Sequence, residues 1–178
     1  PGVLVCDRLA ARMTPVEQFL TVARGELGTR EQPAGSNRQK YGAAYGLNGE
    51  PWCAIFLWWC LLKAGLGGVI PKTASVPVLY HWARANGYVN DTPTRGALSC
   101  MDWGGDGIPD HIGAIWEVTG SHTFDALEGN TSLDDRGSQS NGGIVALRHR
   151  VTQQVAGFIH LPVFEEATMA ITPDDLSA

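Results

Sequence analysis

Apolar positions along the chain follow two different periods. In the first half they recur every three to four residues. Val16, Phe19, Leu20, Ala23 and Leu27 share one helical face. Thr14, Pro15 and Glu17 open that helix as N-cap, first-turn proline and capping-box partner, and Gly28 closes it. A polar loop over residues 30–37 follows, then a short predicted helix over 38–45 carrying Tyr41 and Tyr45. Gly46, Asn48 and Gly49 predict a turn, with Pro51 at the start of the next helix, where no N–H is needed. From Ala54 to Ala64 that helix is apolar nearly all round, so it is expected to be buried on most faces and to end near Gly65, Gly67 and Gly68. Ser75, Val76 and Pro77 open a further helix, which Gly87 stops. Its His81, beside Trp82, reads as a packing residue.

After Gly87 the period changes to two. Short apolar runs separated by Gly, Asp, Asn and Ser predict strands near residues 97–101, 112–118, 123–127, 143–148 and 155–161. The second alternates, with Ile112, Ala114, Trp116 and Val118 on one face and His111, Gly113, Ile115 and Glu117 on the other. Helices first and strands after predict an α+β domain, the helices packed on an antiparallel sheet of about five strands. We expect one domain over residues 14–163, an arm over 1–13, and an acidic linker or disordered tail over 164–178.

Composition removes several classes. A chain of 178 residues with 44% hydrophobic and 17% charged content suits one globular domain. A net charge of −5 carries no basic stripe, so a nucleic-acid partner is not expected. No apolar run reaches the ~18 residues of a membrane span. Gly2-Val3-Leu4-Val5 is too short for a secretory core, so any exit from a host cytoplasm is expected by another route. Cys6, Cys53, Cys60 and Cys100 are too few and scattered for a disulfide framework. The domain is expected to be monomeric and independent of disulfides.

The chemistry gathers around Cys53, in the first turn of the buried helix. Free N–H groups and the positive end of the helix dipole favour a thiolate there, although a small buried hydrophobe would look the same. Thiol catalysis also needs a base and a group that orients the base. His111 opens a strand, and Glu128 and Asn130 lie at the end of the next. Antiparallel pairing puts the start of one beside the end of the other. His122 falls in the hairpin turn and His149 between two arginines, which leaves His160 as the alternative base. Asp102, Asp106 and Asp110 fall at positions 1, 5 and 9 of a calcium-type loop with Gly107 at position 6. Gly104 and Gly113 supply no ligand at positions 3 and 12. The loop therefore reads as a weak calcium site or a plain turn, and catalysis itself needs no cofactor.

Three stretches taken together resemble the CHAP family of cysteine amidohydrolases and peptidases: Pro51-Trp52-Cys53-Ala54, Asp110-His111-Ile112-Gly113-Ala114-Ile115 and Glu128-Gly129-Asn130-Thr131-Ser132. Glu31-Gln32-Pro33, Ser36-Asn37, residues 141–145 and Gly157-Phe158 are similar to the form found in phage lysins, and the likeness spans residues 14–163. One departure is Gly96-Ala97, where the family often has Gly-Asp. The resemblance implies a papain-like core and hydrolysis of an amide bond in bacterial peptidoglycan. Cys53 would be the nucleophile, His111 the base, Glu128 its orienter and Asn130 an added polar member. It implies action on the cell wall. The acidic balance gives little pull toward an anionic wall, so targeting is expected from a wall-binding module beyond residue 163 or from a partner. A papain-like enzyme for small-molecule or protein amides, or an idle wall-binding module, would share the pattern.

Overall fold

The computed structural model describes residues 13–134, 138 and 141–164. Helices α1 (Pro15–Gly25), α2 (Lys40–Tyr45), α3 (Cys53–Lys63) and α4 (Val76–Ala85) precede strands β1 (Val89–Asn90), β2 (Leu98–Met101), β3 (His111–Gly120), β4 (Thr123–Thr131), β5 (Ile144–Val151) and β6 (Val155–Ile159). The strands form one antiparallel sheet in the order β1-β6-β2-β3-β4-β5. The expected α+β architecture is present. The sheet has six strands rather than about five, because the two-residue β1 pairs with β6 and is too short to carry an alternating pattern. Among the described residues no helix is long and apolar enough to cross a membrane.

Sequence patterning accounts for most element boundaries. Thr14 and Glu17 form the predicted capping box of α1. The helix stops at Gly25, short of Leu27, which is 42% exposed. Glu26 leaves the helix and uses its carboxylate to accept from Tyr41 Oη at 2.7 Å and to pair with Lys40 Nζ at 2.6 Å. Helix α3 begins at Cys53, with Trp52 as N-cap, so Pro51 stays in the preceding loop. The fully buried Trp52 ring packs against Tyr41, with centroids 5.5 Å apart, and that contact fixes the entry into α3.

The buried helix α3 is the centre of the molecule. Eight of its residues are buried, and it packs against α1 and α2 on one side and β3 and β4 on the other. The predicted alternation of β3 holds through Ile115: Ile112 and Ala114 join the core under α3, while Ile115 joins a smaller cluster with Met101, Phe124 and Phe158; beyond it the ladder shifts register and Val118 is exposed. Strand β4 runs on to Thr131, so Glu128 and Asn130 lie within it rather than after it.

Phe164 is 8% exposed and stacks on Phe19 with centroids 5.6 Å apart. It belongs to the core and not to the expected tail. The arm before Met13 and the stretch from 165 lie outside the described residues. Cys53, Cys60 and Cys100 are free and buried, and burial pushes the Cys60 and Cys100 thiols up, as fits inert core positions. Cys6 is outside the described residues.

Gly129 marks a close approach of helix to sheet. A Cβ there would lie 2.6 Å from Phe56 Cβ of α3. Gly129→Ala is expected to push α3 off β4 and to cost about 1–3 kcal/mol, as overpacked cores do. Urea denaturation checks this. A variant as stable as the parent would mean that Phe56 moves aside freely.

Candidate active site

Two strand ends and one helix start meet at the site. His111 is the first residue of β3 and pairs with Met101 at the end of β2. One strand further on, Ala114 pairs with Leu127, which sets Glu128 opposite Gly113. The missing side chain of Gly113 makes room: a Cβ there would lie 2.7 Å from Glu128 Cγ. Glu128 can therefore fold back toward His111. Both side chains are fully buried, and His111 Nε2 lies 3.0 Å from Glu128 Oε2.

A bare carboxylate would not be tolerated at such depth. Arg150 of β5 supplies the compensation, with Nε donating to Glu128 Oε1 and Nη2 to Oε2, both at 2.7 Å. Burial pushes the Glu128 carboxyl up. The hydrogen bonds and charges of Arg150 and His111 outweigh it and hold the group at about 2. Glu128 is thus an acceptor only, so Nε2 of His111 must carry a proton and donate. That assignment leaves Nδ1 as the working nitrogen. Nδ1 is buried with no hydrogen-bond partner, and the ring neighbours Cys53. Burial pushes the imidazole down, but the neighbouring Cys53 and the hydrogen-bonded Glu128 more than reverse this and raise it to about 9.

Trp103 covers this arrangement. Its ring stacks on His111, with centroids 5.6 Å apart and 23° between planes, and Arg150 Cζ lies 5.4 Å from the Trp103 centroid. The face of an indole favours adjacent cations, so the stack supports both the guanidinium and a protonated ring. Neither Trp103 nor Arg150 emerged from sequence patterning. The available signal for Arg150 was alternation: Arg148 and Arg150 point to the face opposite His149, and an inward charge on a strand demands a partner.

The remaining candidates separate cleanly. Asn130 is buried in a left-handed conformation (φ 58°), and its Nδ2 donates to Asn141 Oδ1 at 3.2 Å, tying the end of β4 to the approach to β5. His160 bonds Thr94 Oγ1 at 3.3 Å and Thr92 O at 3.1 Å, away from Cys53. His149 pairs with Asp125 at 2.7 Å, and His122 is exposed in the β3–β4 turn.

The carboxylates of the Asp loop accept from the loop's own backbone: Asp102 from Gly105 and Gly107, Asp106 from Ile108, Asp110 from Trp103 and Gly104. Among the described residues no group of three or more His, Cys, Asp or Glu side chains is arranged to hold a metal ion. The loop read as a weak calcium site or a plain turn has its carboxylates in a run of Asx turns that presents Trp103.

Residues 45–130 match the family model described as the CHAP domain, a span that holds Cys53, His111, Glu128 and Asn130. No curated protein matches the chain. Among solved structures, the crystal structure of Ly7917 is similar over 83% of this chain and 62% of its own length, at 20% identity and a TM-score of 0.47. The chain thus spans less than two thirds of that structure.

Two tests follow from the site. Glu128 is held at about 2 against an ordinary 4.5, so the stability it contributes is complete above about pH 4.5 and lost as pH falls through 2. His111 is raised from 6.5 to about 9, so its contribution is complete below about pH 6.5 and lost as pH rises through 9. Arg150→Met should leave Glu128 buried without its main partner and cost about 3–5 kcal/mol near neutral pH. Denaturation measured from pH 2 to 10 reads both, and a flat profile with a harmless Arg150→Met would refute the buried charge chain. In the second test, chelator should leave activity intact and calcium titration should give no heat. Binding heat together with loss of activity on chelation would reinstate the calcium site.

Proposed function

The chain carries a CHAP domain, and from that premise we propose that it is a peptidoglycan hydrolase that cuts an amide bond with Cys53 as nucleophile. The family match supports a peptidoglycan-directed hydrolase or amidase. The lytic, endolysin-type role on the bacterial wall and the cysteine mechanism are our reading of the site. A single observation carries it: the buried His111 ring has its Nε2 3.0 Å from Glu128, itself held by Arg150, while Cys53 neighbours the same ring.

The steps follow from that polarity. With His111 charged below about 9, Nδ1 already holds the proton given up by Cys53, and the sulfur attacks the amide carbonyl carbon as the thiolate of that pair. The resulting oxyanion lies near the start of α3, where backbone N–H groups have no intrahelical partner and can donate to it. As the C–N bond breaks, the imidazolium gives its proton to the leaving amine and a thioester remains on Cys53. Water, deprotonated by Nδ1, attacks the thioester and releases the acid and the thiol. Glu128 stays ionised throughout, orients the ring and supports its positive charge. Asn130 helps hold the end of β4 that carries Glu128 through its bond to Asn141.

Cys53→Ala should abolish release of wall fragments and leave the denaturation midpoint within ~1 kcal/mol, since one sulfur is removed. Cys60→Ala should keep the activity and lose stability to a small cavity. Mass spectrometry of digested muropeptides identifies the bond cut. Glu128→Gln should lower kcat, and its alkaline limb, set near 9 by His111, should move down by about one to three pH units. Wall clearance by Cys53→Ala would end the cysteine reading.

A further inference from the structure

The chain is acidic overall, yet one cleft is lined by cations. It measures ≈ 490 Å³ and is walled by Thr29, Arg30, Arg38, Gln39, Lys40 and Asn48. Lys40 is paired with Glu26. Arg30 and Arg38 are exposed and make no ion pair among the described residues. The carboxylate between them in sequence, Glu31, is turned inward and accepts from the backbone N–H groups of Gly35 and Asn37, so it does not neutralise them. Gln39 adds a donor: its Oε1 accepts from Gly42 N–H at 2.7 Å, and its Nε2 is buried with no hydrogen-bond partner. A buried donor without an acceptor costs about 1–3 kcal/mol and marks a place where an acceptor would be welcome.

The cleft opens at the same end of the sheet as the candidate active site. Asn48 lies in the loop that runs into Cys53, and its Oδ1 accepts from Gln39 N–H at 3.1 Å. On the other wall, Arg30 bridges to Ile144, the first residue of β5, and Ile144 pairs with Thr131 just beyond Glu128. The cleft is thus joined to the loop that leads into Cys53 and to the strand ends beside Glu128. Within peptidoglycan the anionic groups are the carboxylates of the stem peptide, and two guanidinium forks suit a carboxylate.

We propose that the Arg30–Arg38 cleft binds a free carboxylate of the peptidoglycan stem peptide and so sets the register of the scissile amide over Cys53. This rests on the hydrolase reading above. The preference generated is chemical: stems whose carboxylates are amidated lose the interaction.

The test uses the full chain carrying Cys53→Ala, so that nothing turns over. Calorimetry compares a synthetic stem tetrapeptide with free carboxylates, the same peptide amidated, and glycerol 1-phosphate. The free peptide should bind about tenfold more tightly than the amidated one, the worth of one charge-assisted contact. R30Q/R38Q should reduce binding of the free peptide to the amidated level, and R30K/R38K should restore part of the preference. Both positions are exposed, so folding is not at stake. Equal binding of the two peptides, or discrimination that survives R30Q/R38Q, would overturn the proposal. Tighter binding of glycerol 1-phosphate than of the free peptide would also overturn it and assign the cleft to wall phosphodiesters. Turnover of whole wall by the unmodified chain reports separately on the hydrolase reading. Carboxylate-dependent binding without turnover removes that reading and leaves the cleft as a binding site.

Discussion

A negative charge buried beyond the reach of water sets the terms for this structure. Glu128 has no exposed surface, and an isolated carboxylate at that depth would take up a proton. Arg150 prevents it with a two-point contact from β5. With Glu128 ionised, His111 has a fixed tautomer and a stabilised positive form, and its second nitrogen is left for Cys53. Each link needs the backbone in one register. Gly113 must lack a side chain for Glu128 to fold back, and Gly129 must lack one for α3 to bring Cys53 down onto the sheet. These two glycines belong to the charge network as much as its ionised members do.

Local rules and strand pairing made much of this legible in the sequence. The capping box of α1, the all-apolar face count of α3 and the alternation of β3 follow from periods of 3.6 and 2. The meeting of His111 with Glu128 followed from antiparallel pairing alone. Arg150 was not legible in the same way. Its approach to Glu128 depends on how β5 is registered on β4, and that ladder carries an irregularity between Glu128 and Thr131. A bulge shifts every later partner by one, and no periodicity announces it. The start of α3 and the place of Phe164 also escaped, because both are set by ring packing on residues distant in the chain: Trp52 on Tyr41, and Phe164 on Phe19.

The Asp loop illustrates a second kind of ambiguity. Carboxylates spaced by four residues with an intervening glycine suit a cation and suit a chain of Asx turns equally well, because both need oxygen acceptors around a tight backbone. Here the backbone takes the oxygens. The consequence falls on Trp103, whose N–H is held by Asp110, the residue next to His111. The loop thereby ties the cover of the site to the strand that carries the base. Trp103 lies between His111 and Arg150, so one indole shields two charged groups from solvent and faces both with its electron-rich surface.

The same network bears on whether the domain works as an enzyme or as an inert binding module. Buried ion pairs are poor devices for stability, since well-packed apolar residues of similar volume do as well or better. A module kept only for its shape would gain nothing from an imidazole raised to about 9 beside a thiol, with the carboxylate and guanidinium needed to hold it so. The arrangement also has a direction. Both Glu128 oxygens are bonded, by Arg150 and His111, and within the His111 ring Nδ1 is the nitrogen that this network leaves over, in a ring that neighbours Cys53. A purely structural network would close on itself. This one ends on the His111 ring, beside Cys53.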